Sequence, residues 1–268
     1  MNEIQERWLD SLLKNRKYRR LNLSADTVKD LIHQVQTEGV PGKQVEKAVR
    51  LKLHNIAALY LETVNYETAL IELQTIPDGD SEALQTFAAR MLSAHTSTQE
   101  RMSTLEEFYQ HIAAALQRKD ELKILDLACG LNPFALPWMH LPVGCTLQAY
   151  DLHGARIDLL NLFFEKGNLP AQAYHADILA NIPQDDADAV FFFKEAHRFE
   201  QRRKGSTREF LARLQSPLIF LSLPAYNMTG KHDLRTKHTC IVDEAVAGTS
   251  WQAECVMIGN EMLFTIRK

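Results

Sequence analysis

At Lys123 the hydrophobic rhythm of this 268-residue chain changes, and few architectures hold both rhythms in one molecule. Upstream, to about Gln117, apolar residues recur at three- and four-residue steps: Leu12 and Leu13, then Val28, Leu31, Ile32 and Val35. Such steps put side chains on one stripe of an α-helix. Ser24 with Asp26 opens one such helix and Gly39-Val-Pro-Gly42 closes it. A second helix is predicted over Gln44–Leu61, with Val45, Val49, Leu53 and Ile56 on one stripe and Tyr60 near its end. Pro77-Asp-Gly-Asp80 is a turn. No β-rich run interrupts this part, so an all-helical N-terminal domain is expected over residues 1–95, with the second domain over 96–268.

Downstream the runs are short, apolar and stopped by turn residues, which marks buried strands. They are Ile124-Leu-Asp-Leu-Ala128, Thr146-Leu-Gln-Ala-Tyr150, Ala189-Val-Phe-Phe-Phe193 and Leu218-Ile-Phe-Leu-Ser222. Helical stretches such as Ile157–Glu165 and Thr207–Leu214 separate most of them. Alternating strand and helix predicts an α/β, Rossmann-like fold around a mainly parallel sheet. Trp251–Ile258 and Glu261–Ile266, parted by Gly259-Asn260, predict a terminal antiparallel hairpin.

In such sheets ligands bind at the carboxyl ends of the strands. Asp126 lies late in the first strand before Ala128-Cys-Gly130, Asp151 ends the second, and Asp177 with Ile178 follows a third. A carboxylate at Asp151 can accept from both hydroxyls of a ribose, and one at Asp177 from an adenine amine. Each alone is also an ordinary helix cap or loop residue; the joint spacing is what points to a nucleoside. Gly130-Leu-Asn-Pro133 has one glycine where a dinucleotide fingerprint has three. S-adenosylmethionine has no pyrophosphate to cradle, so the pattern favours a methyltransferase of class I type.

Ile124-Leu-Asp-Leu-Ala-Cys-Gly-Leu-Asn-Pro133 resembles the cofactor loop of the aminoglycoside-resistance 16S rRNA (guanine-1405-N7) methyltransferases. Four further segments agree in order and spacing: Lys17-Tyr18 with Thr27-Val28, Leu53-His54 through Tyr60, His95-Thr-Ser-Thr-Gln-Glu-Arg101, and Gly259-Asn-Glu261. The resemblance implies a helical region that docks on the 30S subunit, followed by the catalytic fold. It also implies that Tyr60, His95, Thr96, Ser97 and Arg101 line the methionine end of the cofactor, and that Ala128, Asp151, Asp177 and Ile178 make the remaining contacts. A guanidinium suits a carboxylate because it pairs with it bidentately. Two segments depart from the family pattern, Glu195-Ala-His-Arg-Phe199 and Gly230–His238. They leave another nucleotide, a small molecule or an inactive ribosome-binding relative as alternatives.

Methylation of guanine N7 needs no general base, because that nitrogen carries a free lone pair, so none is assigned. A paired guanine must first leave its stack. An aromatic of the 191–199 region or Tyr226 is then expected to stack on it, although Phe191–Phe193 read first as a core strand. The methylated ring is cationic, which in the resembled family disfavours a cationic aminoglycoside at the decoding site.

The net charge is −4, so any RNA contact must come from local clusters. Three are present: Lys14, Arg16, Lys17, Arg19 and Arg20, with Arg50 and Lys52 on the next helix; Arg198, Arg202, Arg203 and Lys204; and Lys231, Arg235 and Lys237, beside His232 and His238. Four scattered cysteines lack metal-ligand spacing, so reduced thiols and no metal are expected. No apolar run approaches the roughly 18 residues of a membrane span. The polar start of the chain is unlike a secretory signal. A cytoplasmic monomer is the expectation.

Overall fold

A computed structural model describes residues 3–14, 25–58, 64–116, 121–227 and 229–268. Its first described part is helical: α1 (Glu3–Leu13), α2 (Ala25–Thr37) and α3 (Gly42–Ala58). The three- and four-residue spacing has its expected consequence. Val28, Leu31, Ile32 and Val35 of α2 are buried against Val45, Val49 and Leu53 of α3 and Leu12 of α1, in a small core that also reaches Leu152. Ser24, Tyr60 and the segment from Arg16 to Arg20 lie outside the described residues.

Two further helices, α4 (Tyr66–Thr75) and α5 (Ser81–Ala94), start at side-chain caps: Asn65 accepts from Thr68 N at 3.1 Å and Asp80 from Ala83 N at 3.1 Å. A capping oxygen satisfies an amide that the first helical turn leaves without a partner. Leu73, Phe87 and Leu92 of these helices share one core with Ile124, Phe134, Leu147 and Phe163 of the α/β part. Periodicity groups residues 66–94 with the helical domain, yet they pack on the helix Gly154–Lys166 and on the turn at Asn132–Trp138 and share the core of the α/β part. The separate apolar cluster is that of α1–α3.

The short α6 (Thr96–Gln99) and then α7 (Leu105–Ala115) lead into the sheet. Its strands are β1 (Lys123–Leu127), β2 (Thr146–Asp151), β3 (Ala171–His175), β4 (Ala189–Phe193), β5 (Leu218–Pro224), β6 (Gln252–Ile258) and β7 (Glu261–Arg267). Their spatial order is β3-β2-β1-β4-β5-β7-β6. The first five pair in parallel, and β7 inserts antiparallel between β5 and β6. The mainly parallel sheet with a terminal hairpin is the fold expected above. Four helices flank it: α8 (Gly154–Lys166), α9 (Ala196–Arg202), α10 (Ser206–Arg213) and α11 (Arg235–Val246). Phe191 and Phe192 are fully buried, so the β4 aromatics fill core, as their strand reading predicted. Strand order reverses between β1 and β4, which opens a crevice above their carboxyl ends.

Candidate cofactor and active site

Two cavities occupy that carboxyl edge, and they share Ala128, Glu195 and Arg198 as common walls. The first, of about 400 Å³, is lined by Leu152, Asp177, Ile178, Leu179 and Phe199, with Leu31 and Lys52 reaching in from α2 and α3. The second is narrower and more polar; His95, Ser97, Arg101, Gly130, Asp151 and Lys194 border it.

Local chain geometry places these groups. Ala128 and Gly130 both hold φ at +54°, so the loop after β1 coils tightly and turns its backbone toward the cavity. That conformation strains a side-chain-bearing residue and suits glycine, and the position a Gly130 Cβ would take is open space. Asp151 Oδ2 accepts from Gly130 N at 2.9 Å, while Oδ1 accepts from His153 N and from Arg156 Nη1, both at 2.9 Å. Arg156 is buried and donates also to Tyr66 Oη at 3.1 Å, which fixes the second strand end to α4. Asp177 accepts from Leu179 N at 3.0 Å and from both terminal nitrogens of Arg202 at 3.1 Å.

The narrower cavity is bordered by a buried charge network. Arg101 sets Nε on Glu261 Oε2 at 3.0 Å and Nη2 on the other oxygen, with Nη1 on Asn132 Oδ1 at 2.7 Å. It also lies against an edge-to-face pair of rings, 3.9 Å from the centroid of Phe108 and 4.9 Å from that of Phe193. Burial alone would lower the Arg101 pKa, but the Glu261 carboxylate overrides it and holds the guanidinium above its ordinary value. Burial likewise works against ionisation of Glu261, and the charges of Arg101 and Lys194 hold it below the usual carboxylate range. Lys194, held at φ +56°, donates to Ser97 O at 2.9 Å and Glu100 Oε2 at 2.8 Å, and lies 3.4 Å from Glu261 Oε2. Ser222 closes the network by donating to Glu261. Asp126 sits beneath the cavity, accepting from Asn132 Nδ2 at 2.8 Å; burial pushes its carboxyl up to about 7. Burial also raises Glu195, on the wall between the cavities, to about 7.

Set against the expectations, His95, Ser97, Arg101, Ala128, Gly130, Asp151, Asp177 and Ile178 all line one cavity or the other. Thr96 is exposed at the start of α6, and Asp126 acts through Asn132. Tyr60 lies outside the described residues. The fork of Arg101 is turned to Glu261, so any ligand carboxylate meets the guanidinium with that fork already engaged. Thr98, Asn132, Arg156, Lys194 and Glu195 join the site without having been singled out for it. The signal for Lys194 is its position directly after strand β4, and for Asn132 its place in the loop that follows β1.

The basic residues divide. Arg202 is turned inward, bridging Asp177 and Asp30, and His238 is buried with Nδ1 on Pro224 O at 2.8 Å. Lys14, Arg50, Arg203 and Arg235 are exposed and paired with nearby carboxylates. Arg198 pairs with Glu195, and Lys52, beside the larger cavity, with Glu38. Lys204, Lys231 and Lys237 are exposed.

An elongated space with an apolar, acid-tipped end and a polar, charged end fits S-adenosylmethionine, whose adenine and amino-acid ends differ in the same way. The strand order and this crevice define a methyltransferase of class I type. A family model for ribosomal RNA methyltransferase (FmrO) matches residues 14–266, and the chain belongs to that family. It is 28% identical over 226 residues to a 16S rRNA (guanine(1405)-N(7))-methyltransferase of Micromonospora echinospora, covering 83% of this chain and 82% of that one. It is 26% identical over 261 residues, 97% of each chain, to the enzyme of that name from Serratia marcescens. The crystal structure of 16S rRNA methyltransferase RmtF in complex with S-adenosyl-L-homocysteine superposes with a TM-score of 0.77 at 25% identity, over 100% of this chain and 99% of that one.

Proposed function

We propose that the protein transfers a methyl group from S-adenosylmethionine to N7 of a guanine in the decoding site of 16S rRNA, acting on the 30S subunit as a cytoplasmic monomer. The observation that carries this is the pair of cavities joined at Ala128 and Glu195 on the sheet's carboxyl edge, in a chain of this family. The cofactor supplies an electrophilic methyl group; the protein's part is to place and orient. Asp151 is held at a strand end where a ribose can reach it, and Asp177 stands at the apolar end with Ile178. Gly130 leaves room for the chain of the ligand to pass. Fixing acceptor and methyl in line is catalysis by positioning, which can supply several kcal/mol without any proton transfer.

The helices α1–α3 and the basic residues between α1 and α2 in sequence form the docking region in this reading, with Lys204, Lys231 and Lys237 as further phosphate contacts. A 7-methylguanine left at the decoding site carries a positive charge, which repels cationic aminoglycosides. The test is transfer of labelled methyl to purified 30S subunits beside naked 16S rRNA, with borohydride–aniline cleavage to locate the base. Cleavage at a single decoding-site guanine, in 30S alone, is the expected result. Absence of label on 30S with cofactor binding intact would overturn the reading.

A further inference from the structure

Three residues wall both cofactor cavities, Ala128, Glu195 and Arg198, and only Glu195 among them can carry a negative charge. The chain around it is fixed. Lys194, just before it, turns at φ +56° and donates its backbone N to Ser222 O at 2.8 Å. The Glu195 carbonyl accepts from Arg198 N at 2.9 Å and from Phe199 N at 3.1 Å, which starts α9. In the side chain, Oε2 accepts from Arg198 Nη1 at 3.1 Å, and among the described residues no hydrogen bond reaches Oε1. The carboxylate thus has one oxygen engaged and one left for the cavities it divides. Arg198 and Arg202 of α9 act on it as positive charges, and Asp151 at the end of β2 as a negative one.

In the reading above, the nucleoside takes the wider cavity and the methionine chain the narrower, so the sulfur that joins them passes the shared wall. That atom is where the two forms of the cofactor differ. During transfer the guanine N7 lone pair forms the new N–C bond, and the C–S bond breaks with its electron pair kept by sulfur. The positive charge leaves with the methyl group, so S-adenosylhomocysteine is neutral at sulfur. Contacts to the adenine, ribose or amino-acid end hold both forms equally, and selectivity is a difference of affinities. Only a charge at the sulfur supplies that difference.

We infer that Glu195 is the residue by which this protein tells the charged cofactor from its spent form, its carboxylate at the shared wall favouring the sulfonium and Arg198 tempering that preference. The inference rests on the cofactor placement proposed above. Glu195 also opens the segment 195–199 that departs from the resembled family pattern, which makes the selectivity a property of this chain and not of the fold. Its consequence is an easier exchange of spent product for fresh cofactor, because the product is the form the wall does not hold.

Calorimetric titration of the whole chain tests this with three ligands: S-adenosylmethionine, S-adenosylhomocysteine, and sinefungin, in which a carbon bearing an ammonium group replaces the sulfonium. Parent, Glu195→Gln and Glu195→Met are compared at pH 8, above the value of about 7 to which burial raises the Glu195 carboxyl, so that the parent is ionised. Glu195→Gln keeps the shape and an acceptor for Arg198. It should lose roughly five- to 30-fold in affinity for the two cations, about 1–2 kcal/mol, with S-adenosylhomocysteine held within about twofold. That unchanged affinity also reports an intact fold. Glu195→Met is an apolar stand-in suited to a buried site should the amide disturb folding. It should shift the same ratio at least as far, because Arg198 is left at the wall without its counter-charge. A shift under fivefold in the ratio of cation to S-adenosylhomocysteine affinity overturns the inference, including an equal loss for all three ligands, which would make Glu195 a wall of shape alone. Failure of the parent to bind any of the three overturns the cofactor placement instead, and the inference with it.

Discussion

Arg101 and Arg202 are both guanidinium groups withdrawn from water, yet different parts of the chain hold them. Every partner described for Arg101 belongs to the region from α6 to β7: Glu261, Asn132, Tyr109 and the adjacent rings of Phe108 and Phe193. Arg202 is divided between Asp177, at the apolar end of the cofactor space, and Asp30 of α2. Among the described residues its Nε finds no hydrogen-bond partner. The narrower cavity is bordered by a closed network, while the wider one includes a joint between two packed units; in the proposed reading these take the methyl and the adenine ends. Methyl transfer tolerates little misplacement at the reacting centre, whereas recognition of a remote adenine can be shared with a docking element.

Breaking the closed network should cost most. Glu261→Ala leaves Arg101 and Lys194 buried without their shared carboxylate, and loss of one partner of a buried pair typically costs about 3–5 kcal/mol. Urea denaturation measures this, and a loss below 1 kcal/mol would mean that the network does not anchor the site. At the other end, Asp177→Ala removes a charged acceptor and should weaken cofactor binding by roughly ten- to 150-fold, in line with about 1.5–3 kcal/mol for hydrogen bonds to charged groups. Calorimetric titration decides it.

Acidity sharpens the contrast further. Asp126 has its carboxyl raised by burial from 3.8 to about 7, so the native state keeps a proton that the unfolded chain gives up. Its share of stability is complete below about pH 4 and is lost as pH rises to about 7. The neutral isostere Asp126→Asn should therefore gain on the parent across that window and hold a constant margin above it. His197, lowered by burial to about 3, slopes the other way and cancels in the difference. Denaturation at pH 5 and pH 8 tests the sign. The smallest effect belongs to Asp30→Ala, which takes from Arg202 its partly exposed partner and leaves Asp177. A change under about 1 kcal/mol in stability and under threefold in cofactor affinity is expected. A larger shift in affinity would show that the helical unit governs the adenine end.

What the sequence made legible was whatever strand chemistry dictates locally. Asp151 and Asp177 stand out in the sequence through their joint spacing at successive strand ends, since each alone reads equally as a cap or loop residue, and both line a cavity, as does Gly130 at its tight turn. Asp126 was placed at the right strand end but one layer too high, since spacing along β1 does not say that Asn132 folds back over it. Arg202 was grouped with the RNA-facing charges. A charge run reads the same whether a member faces solvent or, one helical position away, meets Asp30 from 172 residues earlier. Helices α4 and α5 fall in the stretch that reads as helical, but amphipathicity does not name the surface they cover, which is α8 and the turn at Asn132–Trp138.

The bond between Arg101 and Glu261 spans 160 residues of sequence. Synthesis delivers the chain from its N-terminus, so Arg101, the cofactor loop and Lys194 are all made well before the strand that carries their common counter-ion. Until β7 slots between β5 and β6, the two cations have no carboxylate at Glu261 to hold them in place. Assembly of the site is thereby timed to the completion of the sheet. A nascent chain still short of that strand lacks the counter-ion that closes the network beside the narrower cavity.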